Sequence, residues 1–104
     1  MSPKEVSASL ASEHPPFLLD VRQPEEHTLA SLPNSKLIPL REIPGRLQEI
    51  EGWKTRTIVV YCHHGVRSLH AAAFLRESGF RDVRNMDGGI EAWSLFVDSS
   101  VPRY

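Results

Sequence analysis

Cys62 is the only cysteine among the 104 residues, and it stands between a strand-forming run and a glycine-bearing loop. Thr57-Ile58-Val59-Val60-Tyr61 leads into it, and His63-His64-Gly65-Val66-Arg67-Ser68 follows. A helical pattern begins inside that loop. A strand opening into a helix N-terminus turns unpaired backbone N–H groups toward whatever lies in the turn. Such a setting favours negative charge, and so a thiolate. Gly65 permits a positive φ and close backbone approach. Consecutive N–H groups from Cys62 to Arg67 can then form an anion-binding nest. Arg67 adds a permanent cation with several donors. Ser68 can cap the following helix or donate to the same anion. The chemistry implied is a nucleophilic sulfur in an anion cradle, suited to a thiolate or a persulfide.

Each of these residues also has a plainer use. A lone cysteine serves elsewhere as a small buried hydrophobe, but a place before a glycine loop argues for chemistry. Arg67 could pair with a surface acid. His63 and His64 adjoin Cys62, yet adjacent histidines rarely converge on one ion and a closed zinc site needs four ligands. No metal is therefore expected. Both histidines read as loop side chains that shape the entrance and its charge. Asp20, at another strand end, reads as a residue that holds a neighbouring loop.

The elements that must position this loop follow from pattern. Ser2-Pro3-Lys4-Glu5 is a capping box with proline at the first helical position, opening a helix to about His14. Pro15-Pro16 stops it. Phe17-Leu18-Leu19-Asp20-Val21 reads as a strand buried on both faces. Pro24-Glu25-Glu26-His27 reads as a first helical turn, and Pro33-Asn34-Ser35 as a turn. Lys36-Leu37-Ile38 reads as a short strand. Pro44 is expected to open a helix that buries Leu47 and Ile50 and ends at Gly52. Val66 to Ser78 is the clearest helix, with Gly79 and Phe80 suited to a Schellman ending. Asp82 to Asn85 is a last strand, and Gly88-Gly89 turns into Ile90-Glu91-Ala92-Trp93. The tail from Ser99 to Tyr104 carries no periodic signal. Strands alternating with helices imply an α/β fold with a parallel sheet and right-handed crossovers. Sites in such sheets lie outside the carboxyl ends of strands, where Cys62 is.

The chain is long enough for one domain, 1–104. Hydrophobic residues make up 40% and charged residues 24%, and the net charge is −1. That balance speaks against nucleic-acid binding. A single cysteine excludes an internal disulfide and fits a reducing, cytoplasmic setting. The N-terminal residues do not read as a signal peptide, and no apolar run approaches membrane-spanning length. A monomer is the default expectation.

Three segments together resemble the single-domain rhodanese family. They are Leu18 to Glu26 around Asp20-Val21-Arg22, Val60 to Ser68 around Cys62, and Asp87 to Trp93. The resemblance implies a rhodanese-like three-layer domain, a sheet of four or five parallel strands with helices on both faces. It implies that Cys62 accepts a sulfane sulfur as a persulfide, with no other cofactor. His63, His64, Gly65, Val66, Arg67 and Ser68 would form the loop that holds it, and Asp20 and Arg22 would tie strand ends together behind it. The donor would be thiosulfate or a protein persulfide, and the acceptor cyanide, a thiol or a sulfur carrier protein. Val97 to Tyr104 is similar to the ending of rhodanese domains fused to E1-like adenylyltransferases. The chain departs from the family over Ala30 to Ser35, where the usual glycines are missing, and has almost no residues for the usual first strand. Two other classes compete. Phosphatase-type loops carry one more residue before their arginine, and Ser68 stands at that position here. A non-catalytic binding or redox-sensing module would need no turnover, but such modules often lack the cysteine, and a sulfenate here would have no second thiol to resolve it.

Overall fold

Four strands pair in parallel into one sheet, in the order β2-β1-β3-β4. They are β1 (Phe17–Asp20), β2 (Lys36–Leu37), β3 (Thr57–Tyr61) and β4 (Asp82–Asn85). This is a computed structural model, and it describes residues 1–104. β1 and β3 are central, and their side chains alternate between two cores. Ile58, Val60 and Cys62 enter one with Leu19, Val21, Ala71, Ala72 and Leu75. Val59 and Tyr61 enter the other with Leu18, Met86, Ile90 and Trp93. That two-residue alternation is why Phe17-Leu18-Leu19 and Ile58-Val59-Val60 are apolar at consecutive positions. Helix α3 (Val66–Glu77) covers the first core. Helices α1 (Pro3–Leu10) and α4 (Gly89–Phe96) pack together over the second. Helix α2 (Pro24–Leu29) links β1 to β2. The result is the α/β sheet with helices on both faces that the pattern implied.

Local chemistry sets the ends of the elements. Ser2 and Glu5 form the capping box of α1, at 3.1 and 2.9 Å. The helix stops at Leu10 rather than His14, because the residues beyond Leu10 bury no apolar side chain and Ser12 turns its hydroxyl onto the Ser9 carbonyl at 2.6 Å. At the other end of α3, Gly79 (φ +96°) lets Phe80 donate to the Leu75 carbonyl at 3.1 Å and itself donates to Arg76 at 3.2 Å. Those two bonds make the Schellman ending that Gly79 and Phe80 suggested. The helix expected from Pro44 is instead a pair of 3-10 segments, Leu40–Gly45 and Leu47–Trp53, with Pro44 inside the first and Gly52 inside the second. Two prolines, Pro39 and Pro44, and two glycines within this stretch disfavour a continuous α-helix. Ile50 is still buried, and Leu47 packs against the core in part.

The two departures from the family pattern have simple geometry. Asn34 adopts φ +61° after Pro33, and Ser35 donates back to the Leu32 carbonyl at 3.3 Å. Proline followed by a left-handed asparagine is a type II turn signature, so asparagine serves where glycine is usual. The Tyr61 hydroxyl braces the turn, accepting from the Leu32 N–H at 3.2 Å and sharing a 2.9 Å bond with Ser35. Beyond β4, Met1 alone extends the sheet. Its nitrogen donates to Asn85 at 2.8 Å, and its carbonyl accepts from Asp87 at 2.8 Å.

Candidate active site

The Cys62 sulfur lies at the N-terminus of α3. It is 1% exposed and accepts from the Gly65 N–H at 3.1 Å and the Ser68 N–H at 3.4 Å. The Ser68 hydroxyl is 3.4 Å from the same sulfur. The backbone N–H groups of His63, His64, Val66 and Arg67 find no acceptor within the protein. Those of Val66 and Arg67 belong to the first turn of a helix and so face out of its N-terminus. Gly65 makes this possible with φ +102°, a conformation open to glycine.

The loop is gripped from behind by α4. Ile90 donates to the Cys62 carbonyl at 2.9 Å, and Glu91 to the His63 carbonyl at 3.1 Å. This contact requires Gly89. A Cβ there would lie 2.3 Å from the His63 oxygen and 2.5 Å from the Cys62 oxygen. The Gly88-Gly89 turn therefore seats the first N–H groups of α4 on the carbonyls of the loop that begins α3. Asn85, at the end of β4, completes the grip. It accepts from the Ser68 hydroxyl, and its amide donates to the Gly65 carbonyl at 3.5 Å.

Arg67 is engaged rather than free. Its two terminal nitrogens reach both Glu26 oxygens, at 2.7 and 2.9 Å. Glu26 also accepts from the Tyr104 hydroxyl at 2.6 Å and from the Gln23 N–H at 3.1 Å. The Arg67 bonds, reinforced by Tyr104 and Gln23, hold the Glu26 carboxyl down at about 2. His63 stacks on Tyr104 and on His64, with ring centroids 3.9 Å apart in each case. Burial first, and His64 next, push the His63 pKa below its ordinary value. Its Nε2 is buried without a partner. His64 is exposed.

Asp20 and Arg22 lie fully buried at the carboxyl end of β1. Arg22 binds both Asp20 oxygens at 2.8 Å, the Ala30 carbonyl at 2.6 Å and the Tyr104 hydroxyl at 2.7 Å. His27 Nδ1 lies 2.8 Å from the same Asp20 carboxylate. Cys62 to Ser68 thus form one loop at the carboxyl end of β3, while Asp20 and Arg22 lie at the carboxyl end of neighbouring β1 and are linked to the loop through Tyr104 and Glu26. Sequence reading passed over Glu26, Asn85 and Tyr104. Glu26 read as an acid suited to a helix start, and Tyr104 lies in a tail without periodicity. No group of three or more histidine, cysteine, aspartate or glutamate side chains is arranged to hold a metal.

Residues 2–95 match the family described as the rhodanese-like domain. The chain belongs to the rhodanese-like family. This rhodanese-like domain is 37% identical over 91 residues to a sulfurtransferase of Allochromatium vinosum, covering 88% of the chain and 83% of that protein. It is 33% identical over 118 aligned residues to the adenylyltransferase and sulfurtransferase MOCS3 of Arabidopsis thaliana, covering 100% of the chain but 25% of that longer protein. Among solved structures, the rhodanese-like domain protein of Staphylococcus aureus superposes with a TM-score of 0.85 at 31% identity, covering 100% of this chain and 96% of that one. Sulfurtransferases among its relatives support sulfur transfer as the general activity of this rhodanese-like domain. No helix is long and apolar enough to cross a membrane.

Proposed function

We propose that this domain carries sulfane sulfur on Cys62, taking it from a small donor or a protein persulfide and passing it to a nucleophilic acceptor. The supporting observation is the Cys62 sulfur at the N-terminus of α3, with two amide donors on it and further unpaired N–H groups in the loop and first helical turn. With thiosulfate as donor, the Cys62 thiolate attacks the outer sulfur. A Cys62–sulfur bond forms, the bond to the sulfonate sulfur breaks, and its electron pair leaves with sulfite. The charge then rests on the outer sulfur of Cys62–S–S⁻, among the loop N–H groups, where preorganised donors stabilise it. Cyanide attacks that outer sulfur, departs as thiocyanate and returns the electron pair to the Cys62 thiolate. This is double displacement through a covalent intermediate. The persulfide needs no further cofactor. Glu26 occupies the Arg67 guanidinium, so the backbone amides rather than Arg67 carry the stabilisation.

Fused adenylyltransferase and sulfurtransferase relatives, together with the matching tail, support a sulfur carrier protein as acceptor. The domain would serve a cytoplasmic sulfur relay as a monomer. Intact mass after incubation with thiosulfate, and separately with a persulfidated cysteine desulfurase, tests the reading. A gain of about one sulfur atom is expected, removed by cyanide and absent in Cys62→Ser. No adduct from either donor would sink it.

A further inference from the structure

Cys62 to Ser68 contains one permanent cation, Arg67, and the structure neutralises it. Both terminal nitrogens of Arg67 are bound, each to its own oxygen of Glu26. Glu26 is in turn held by Tyr104 and by the Gln23 N–H, so four donors fix one carboxylate. Tyr104 is itself anchored on buried Arg22 and stacked on His63. The clamp therefore spans α2, the loop, α3 and the C-terminal tail. A carboxylate so fixed stays ionised at all working pH values. An approaching substrate meets a neutral ion pair and uncharged amides, with no free guanidinium.

We propose that Glu26 is a specificity-determining residue, masking Arg67 so that the site favours sulfur donors with one negative charge over the thiosulfate dianion. The inference rests on the sulfur-transfer reading and deepens it. Thiosulfate brings two charges to a mouth whose only fixed counter-charge is spent. A thiol persulfide or a thiosulfonate brings one charge, which the loop amides can satisfy. Methanethiosulfonate is the matched probe. It delivers the same outer sulfur by the same attack, and its S–S bond breaks with the electron pair leaving on methanesulfinate.

The test compares kcat/KM for thiosulfate and methanethiosulfonate, with cyanide as acceptor, in four proteins. They are the native domain, Glu26→Gln, Arg67→Gln and the double variant. Glu26→Gln unmasks Arg67 and raises the thiosulfate-to-thiosulfonate ratio about tenfold, mainly through KM. Arg67→Gln leaves Glu26 charged and lowers the ratio by about the same factor. The double variant, neutral again, returns to within about twofold of the native ratio. An unchanged ratio in Glu26→Gln, or a double variant that keeps its gain, overturns the role of Glu26. Salt gives a reading that needs no substitution. Native KM for thiosulfate moves less than about twofold between about 0.05 and 0.3 M salt, whereas an unmasked arginine would make it rise steeply. A steep native rise also overturns the proposal. Absence of a Cys62 adduct with either donor in all four proteins would instead overturn the sulfur-transfer reading beneath it.

Discussion

At the scale of single residues, the site depends on what is missing at Gly89. Its φ is +63°, and any Cβ would fall within 2.5 Å of the backbone oxygens of Cys62 and His63. Gly89→Ala must either push α4 away from the loop or deform the loop itself. The expected loss is about 2–4 kcal/mol of stability, measured by urea unfolding, with sulfur transfer reduced more than tenfold. A variant of native stability and activity would show that the loop does not need the α4 grip. Cys62 and its loop were legible because a strand ending in Cys62, with Gly65 three residues on, is a local pattern. The partners of the loop were not. Asn85 lies 17 residues beyond Ser68, and Tyr104 lies 78 residues beyond Glu26. No local periodicity records such pairings.

Among elements, the ion pair between Glu26 and Arg67 joins α2 to α3 beside the Cys62 loop. The Glu26 carboxyl sits at about 2 when folded, against an ordinary value of 4.5. A carboxyl depressed by folding contributes stability that is present above its unfolded pKa and lost as pH falls toward its folded one. The contribution therefore fades between about pH 4.5 and 2. Glu26→Gln should unfold with a shallower loss of urea midpoint over that window than the native chain. Parallel curves for the two proteins would show that the pair carries no folding energy. The start of α1 and the end of α3 were readable because capping box and Schellman residues act within one turn. The helix read from Pro44 to Gly52 is instead part of two 3-10 segments, Leu40–Gly45 and Leu47–Trp53. Its apolar spacing admits either helix type, and only the packing of Ile43 and Ile50 onto the sheet shows two short 3-10 segments.

At the scale of the whole molecule, the Asp20–Arg22 pair lies at the carboxyl end of β1 with no exposure. It connects β1 to Ala30 before β2 and to Tyr104 in the tail. Removing one member of a buried pair strands the other. Arg22→Met should cost about 3–5 kcal/mol, read as a lowered urea midpoint, and should loosen the Tyr104 contact with His63. A midpoint within error of the native one would show that Asp20 finds another partner. The alternation of strands and helices, the two-faced burial of β1 and β3, and the placing of Cys62 at a strand end were determined by the sequence alone. They rest on interactions between near neighbours and on a two-residue period. The charge state of the mouth was decided by the tertiary structure. Arg67 is a bare cation in the sequence, and folding places Glu26 and Tyr104 against it from distant segments. Electrostatic pairing depends on distance in space, so no local pattern around Arg67 could report it.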